Sequence, residues 1–221
     1  MRRLEALGLS KAFGPDSARV LAVDGVSLSL DAGERVAITG ASGSGKSTLL
    51  ALLALLERPD QGQVLLDGRR LDRLPEGPLA ALRGRGMGIV FQSFRLLAHL
   101  NALENVRVPL DLAGIADADA KARDWLERVG LKDRAGHYPA QLSGGEQQRV
   151  ALARALVHAP AVILADEPSG NLDSANGARV ADLLFGLARE QGASLLLVTH
   201  DAALASRADR LLAMKDGRLD P

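Results

Sequence analysis

The sequence predicts an α/β fold with a mostly parallel sheet, and three observations predict it. Three short runs, 35–39, 161–165 and 194–199, are apolar along their length rather than alternating, as strands covered on both faces are. Helical patterns separate them. The first run passes straight into a glycine-rich segment and then into another helical pattern, an order typical of α/β units that bind ligands at strand ends.

Composition narrows the function classes. At 221 residues the chain suits one body with a smaller lobe, and its 47% hydrophobic and 24% charged content is that of a globular protein, not a disordered one. With only six aromatic residues, the core must be built from Leu, Ala, Val and Ile. Lys plus Arg and Asp plus Glu are equal at 27 each, which removes the broad positive field of a general nucleic-acid binder, so any phosphate site must be local. The absence of cysteine excludes disulfides, thiolate metal sites and cysteine nucleophiles, and suits a reducing compartment. After Met1-Arg2-Arg3 there is no apolar stretch of signal-peptide length, so the chain is expected to stay inside the cell. The strongest apolar run, 49–56, stops at Glu57, far short of the roughly 18–20 residues that span a bilayer, so any membrane role needs a partner.

Taken in order, 4–9 and 20–30 read as strands, with Val26, Leu28 and Leu30 alternating with Ser27 and Ser29 so that one face is wet. After the turn at Asp31-Ala32-Gly33 comes the buried run 35–39, the glycine-rich segment, and a helix from Lys46 to about Leu56. A strand is expected at 88–91. The middle, about 94–141, changes to helical patterns such as 117–129, broken by Gly114, Gly130, Gly136 and Pro139, and forms the candidate smaller lobe. From Gly144 the chain returns to alternating helix and strand, so both ends belong to one core. No internal repeat or long linker interrupts it.

Gly40-Ala41-Ser42-Gly43-Ser44-Gly45-Lys46-Ser47 fits the phosphate-binding pattern G-x-x-x-x-G-K-[ST], in the strand-to-helix context that pattern requires. The glycines let successive N–H groups curl round phosphates, Lys46 brings a cation to the outer phosphates, Ser47 offers a hydroxyl to Mg²⁺, and the helix start at Lys46-Ser47-Thr48 adds its dipole. A plain glycine-rich turn would leave Lys46 and Ser47 unexplained. Asp166-Glu167 closes the run 161–165 at the end of a buried strand, where ligands bind in such sheets. Asp166 can hold Mg²⁺ through water, and Glu167 can orient, or accept a proton from, an attacking water. The alternative is a solvated turn before Pro168.

Leu142-Ser143-Gly144-Gly145-Glu146-Gln147-Gln148-Arg149 is the most diagnostic segment. Ser143 and Glu146 make a capping box that opens a helix to about Val157. The box does not explain Gly144-Gly145, which cost helix stability and free the backbone to approach an anion. One nucleotide does not need two such sites in one chain.

This segment resembles the signature of ATP-binding cassette (ABC) proteins, and the resemblance runs from Leu4 to Asp220 with several motifs in order. It implies a P-loop NTPase core with an antiparallel β-subdomain and a small helical subdomain: one nucleotide-binding domain over 1–221, with 1–93 and 142–221 as core and about 94–141 as the helical part. It also implies that Ser143, Gly144 and Gly145 contact the γ-phosphate held by Gly40, Ser42, Gly43, Ser44, Gly45, Lys46, Ser47 and Thr48 of a second copy, which resolves the doubled phosphate site. By the same resemblance Gln92 senses Mg²⁺ and the attacking water, with Ser47 and Asp166 as the other metal-side groups. Asn171-Leu172-Asp173 lies at the dimer seam, and His200 is the switch histidine beside the γ-phosphate. Phe13 stands where the family places an aromatic, commonly Tyr, that stacks on adenine; packing into the β-subdomain is the alternative.

Phe91-Gln92-Ser93-Phe94, Leu100-Asn101-Ala102-Leu103-Glu104-Asn105-Val106 and Ala165-Asp166-Glu167-Pro168-Ser169-Gly170-Asn171-Leu172-Asp173 are most similar to ATPases serving the lipoprotein-releasing and macrolide-exporting permeases, especially the YbbA-type branch. Ser169 replaces the usual Thr and keeps the hydroxyl. The expectation is an ATPase using ATP and Mg²⁺ that dimerises around two ATP molecules. It would sit peripherally on the cytoplasmic face of the membrane and drive a separate permease that exports or extracts a hydrophobic substrate, with no nucleic-acid partner. A regulatory ATPase whose membrane partner transmits a signal without transport shares every catalytic residue and stays open as the alternative.

Overall fold

The computed structural model describes residues 1–220; Pro221, the last residue of the expected single domain, lies outside the described residues. Strands β1 (Arg2–Phe13) and β2 (Val20–Asp31) pair antiparallel, and each buries alternate residues, Leu4, Ala6 and Leu9 against Val26, Leu28 and Leu30. β1 runs on past the expected end at Leu9, because register shifts on either side of Leu9 bend the strand and let it pair as far as Phe13. β3 (Arg35–Thr39) then leads through the glycine-rich loop into α1 (Lys46–Leu53). This helix stops short of the expected Leu56, since Leu55 takes a left-handed φ of 53° that no α-helix continues through. β4 (Gln61–Leu66) and β5 (Arg69–Arg70) complete an antiparallel sheet in the order β2-β1-β4-β5.

The chain next forms α2 (Glu76–Gly86), β6 (Met87–Val90), α3 (Ala102–Leu112), α4 (Ala118–Arg128), α5 (Gly144–Leu156), β7 (Val162–Asp166), α6 (Ser174–Glu190), β8 (Ser194–Val198), α7 (Ala202–Ala205), β9 (Arg210–Lys215) and β10 (Arg218–Asp220). The second sheet has the order β10-β9-β3-β8-β7-β6, parallel from β9 to β6 with β10 antiparallel at the edge.

The central strands β3, β7 and β8 are buried on both faces, and their side chains sort by the period of two. Ala37, Ile163, Ala165, Leu195 and Leu197 pack with α3, α4, α5 and α6. Val36, Ile38, Val162, Leu164, Leu196 and Val198 pack with α1 and the antiparallel sheet. Between 94 and 141 the regular elements are α3, α4 and two 3₁₀ turns, with no strand among the described residues. Asn101 caps α3 in a capping box with Glu104. The fully buried Asn105 amide accepts from Leu97 N–H and donates to the carbonyls of Leu97, Leu100 and Asn101, which fixes the loop before the helix. α5 packs on α3 and α4 on one side and on β6 and α6 on the other. Among the described residues, no helix is long and apolar enough to cross a membrane. The carboxyl ends of β3, β6, β7 and β8 converge, which brings together loops far apart in sequence.

Candidate functional site

The loop after β3 supplies one wall. Gly45 precedes α1 with φ 101°, and a Cβ there would lie 2.1 Å from Ala22 O, so only glycine fits. The first helical bond runs from Leu49 N–H to Gly45 O, and the N–H groups of Lys46, Ser47 and Thr48 are left to an outside acceptor. Lys46 is 8% exposed, and its Nζ donates to the carbonyls of Gly40 at 2.8 Å and Ala41 at 2.9 Å, which holds the ammonium across the mouth of the loop. Ser44 is buried, and its carbonyl accepts from Gly217 N–H.

The opposite wall is acidic. Ser47 Oγ donates to Asp166 Oδ1 at 2.9 Å, joining the start of α1 to the end of β7. Burial pushes the Asp166 carboxyl up, the neighbouring Glu167 adds to this, and the Ser47 hydroxyl opposes it. Glu167 has φ 43°, a left-handed backbone that costs a non-glycine residue roughly 1–2 kcal/mol. Its Oε1 lies 2.9 Å from His200 Nδ1, and its Oε2 accepts from Thr199 Oγ1 at 3.0 Å and from the His200 N–H at 3.3 Å.

Ala22, Ser42, Gly43, Gly45, Lys46, Ser47, Thr48, Gln92, Glu167 and His200 line a cavity of about 580 Å³, while the expected Gly40, Ser44 and Asp166 are not part of that lining. Gln92 reaches it from the end of β6, tied to Asn171 in both directions: Gln92 Nε2 donates to Asn171 Oδ1, and Asn171 Nδ2 to Gln92 O. Phe13 lies off this lining at the end of β1. It is 42% exposed, and Lys11 Nζ stands over its ring, 5.5 Å from the centroid.

The remaining sequence-predicted residues form a second group that does not line the cavity. Ser143 caps α5 in a closed box: its N–H and Oγ donate to Glu146 Oε2, each at 2.8 Å, while Glu146 N–H donates back to Ser143 Oγ. Gly144 is flanked by Leu172 and the Phe94 ring, and a Cβ on Gly145 would meet Asn176 Oδ1 at 2.8 Å. Asp173 caps α6 through Asn176, whose N–H and side-chain amide both bond its carboxylate, so Asp173 and Gly145 share a neighbour.

Four side chains whose contacts the sequence did not foretell organise the two groups. Thr199 touches Glu167, and Asn171 holds Gln92. The buried Gln148 amide donates to Pro168 O at 2.6 Å and reaches Phe91 O at 3.4 Å, tying α5 to the loops after β6 and β7. Arg154 donates to the carbonyls of Phe94 and Arg95, two consecutive residues with left-handed φ of 57° and 49°. No local pattern signals these contacts, because each partner is distant in sequence; only the position of Thr199 beside His200 offered a hint.

The cleft thus presents N–H groups and an ammonium to an anion, and beside them a hydroxyl and a carboxylate. Ser47 and Asp166 are oxygen donors of the kind a hard cation takes, and no group of three or more His, Cys, Asp or Glu among the described residues forms a dedicated metal cage. Such a pair fits Mg²⁺, which keeps waters and shares substrate phosphates.

A family model described as "ABC transporter" matches residues 23–170. The lipoprotein-releasing system ATP-binding protein LolD of Bordetella avium is 50% identical over 220 residues, covering 99% of this chain and 96% of that one. The uncharacterized ABC transporter ATP-binding protein YbbA of Escherichia coli K12 is 50% identical over 218 residues, with 98% and 96% covered. Among solved structures, the dimeric bacterial ABC transporter cassette MJ0796 superposes with a TM-score of 0.93 at 38% identity, covering 99% of this chain and 97% of that one. A dimeric post-hydrolysis state of the same cassette, bound to ADP and Pi, gives 0.92 at 37% identity over the same shares.

Proposed function

The chain belongs to the ABC transporter family, and from that premise we propose how its residues divide the work of its ATPase. It is the ATP-binding, ATP-hydrolysing subunit. Two copies close on two ATP molecules, each held by the phosphate loop of one copy and by Ser143–Gly145 of the other. One observation carries this reading: the chain builds a complete phosphate cleft around Lys46, and the Ser143 helix start does not line it. The dimeric state of the MJ0796 cassette supports it.

In this arrangement the exposed Phe13 ring stacks on adenine, and Lys46 with the N–H groups of residues 40–48 holds the phosphates. Ser47, Asp166 and Gln92 hold Mg²⁺, which when bound neutralises charge on the phosphates. Glu167 orients the attacking water and takes its proton, His200 is the switch histidine at the γ-phosphate, and Asp173 meets the second copy at the seam. Residues 1–93 and 142–221 act as the core and 94–141 as a helical subdomain that moves against it. The groove lined by Arg83, Phe91, Arg95 and Arg154, about 390 Å³, receives cytoplasmic helices of a separate permease. LolD is named for lipoprotein release, and 50% identity over nearly all of both chains supports a partner of that class, one that extracts or exports a hydrophobic cargo from the cytoplasmic side of the membrane.

Glu167→Gln keeps size and most hydrogen bonding but removes the base, so hydrolysis should fall about 10²–10⁴-fold while ATP still binds. The stalled chain should then accumulate as an ATP-dependent dimer in light scattering, and adding Ser143→Arg should abolish that dimer. A Glu167→Gln chain that stays monomeric at saturating Mg·ATP, or dimerises without ATP, overturns the sandwich.

A further inference from the structure

Thr199 reads in the sequence as an ordinary strand-end residue, yet its surroundings ask more of it. It is fully buried, and its N–H donates to Ile38 O at 3.0 Å, which fixes the end of β8 to β3. Its Oγ1 accepts from Asp201 N–H at 3.0 Å and lies 3.0 Å from Glu167 Oε2. A hydroxyl carries one proton, and an ionised carboxylate only accepts, so the proton of Thr199 points to Glu167.

The two side chains on the Glu167 carboxylate differ in freedom. His200, on Oε1, has a side chain 68% exposed, whereas Thr199, on Oε2, has no exposed surface. Glu167 also leaves the end of β7 with a left-handed backbone, so the pleat of the sheet does not aim its side chain.

We propose that Thr199 is a positioning residue for hydrolysis: its buried hydroxyl fixes Oε2 of Glu167, aims the free lone pairs of that carboxylate at the attacking water, and leaves the exposed His200 free to respond to nucleotide. This rests on the reading of Glu167 as the base.

Thr199→Val keeps shape and burial but removes the proton. In the full-length chain it should lower kcat about 10- to 100-fold while KM for ATP and nucleotide affinity stay unchanged. Thr199→Ser, which keeps the hydroxyl, should restore most of the rate. In a Glu167→Ala background, single-turnover hydrolysis should not fall further when Thr199→Val is added, because no carboxylate remains to be positioned. Should the valine chain fail to fold, Thr199→Cys, similar in size and only a weak donor, is measured instead and should also lose kcat alone. A full rate in Thr199→Val or Thr199→Cys overturns the assignment, as does a serine variant no faster than valine, or an equal loss with and without Glu167. If Glu167→Ala alone keeps full turnover, the reading of the base fails rather than the role of Thr199.

Discussion

The starts of α1 and α5 make an instructive pair. α1 begins after a left-handed glycine with no side-chain cap, so its first N–H groups are open to a ligand, and the cleft around them is completed by Lys46, Gln92 and Glu167 of the same chain, with Asp166 behind Ser47. α5 begins with a closed capping box, in which Ser143 N–H holds the Glu146 carboxyl below its ordinary range, the Ser143 hydroxyl assists, and Arg134 adds to both. One helix start is poised for an anion; the other is satisfied internally. In the proposed dimer the Ser143 hydroxyl therefore exchanges Glu146 for phosphate when the copies close. The cleft is set by folding and the second face by assembly.

That comparison can be broken most directly by mixing variants. Lys46→Ala should abolish nucleotide binding or cut turnover by at least about 10³-fold, since it removes the cation from a buried site. Ser143→Arg should retain ATP binding and lose turnover. A mixed dimer of the two places both defects in one site and leaves the other intact, so equal mixing should restore about a quarter of the wild-type sites if the chains pair at random and up to about half if only mixed dimers close. No recovery from two folded chains would put both phosphate contacts in one subunit. A smaller change sharpens the contrast. Gly145→Ala drives a methyl toward Asn176 and should lower turnover about 10²-fold with nucleotide affinity untouched, read by single-chain binding against steady-state ATPase. The mildest is Phe13→Ala, which should weaken ATP binding by roughly 1–3 kcal/mol without altering kcat at saturation. Unchanged affinity there would return Phe13 to packing alone.

The sequence revealed what local rules dictate. β3, β7 and β8 were legible because burial on both faces forces apolar runs, and Ser143 and Glu146 announced the start of α5. α2 was not, since its stretch carries two glycines beyond its first turn and buries only Leu79. β9 was hidden because it buries only Met214. The cleft motifs were legible as patterns of residue types. The contacts of Thr199, Asn171 and Arg154 were not, although Asn171 was read as a seam residue, because Glu167, Gln92 and the 94–95 carbonyls come near them only in the finished fold.

The position of β3 also bears on how the chain emerges from a ribosome. β3 ends in the phosphate loop, and its sheet neighbours are β8 and β9, so Arg35 waits for Leu195 and Val36 for Arg210. At ordinary elongation rates of about 5–20 residues per second, that interval of about 160 residues lasts roughly 10–30 s. Throughout it the strand that leads into the phosphate loop has no pairing partner in its own sheet, so the loop is not yet held in place to take ATP. Nucleotide can stabilise this protein only after nearly all of it has been made, so early folding must be guarded by the antiparallel sheet and by whatever chaperones meet its exposed strand edges.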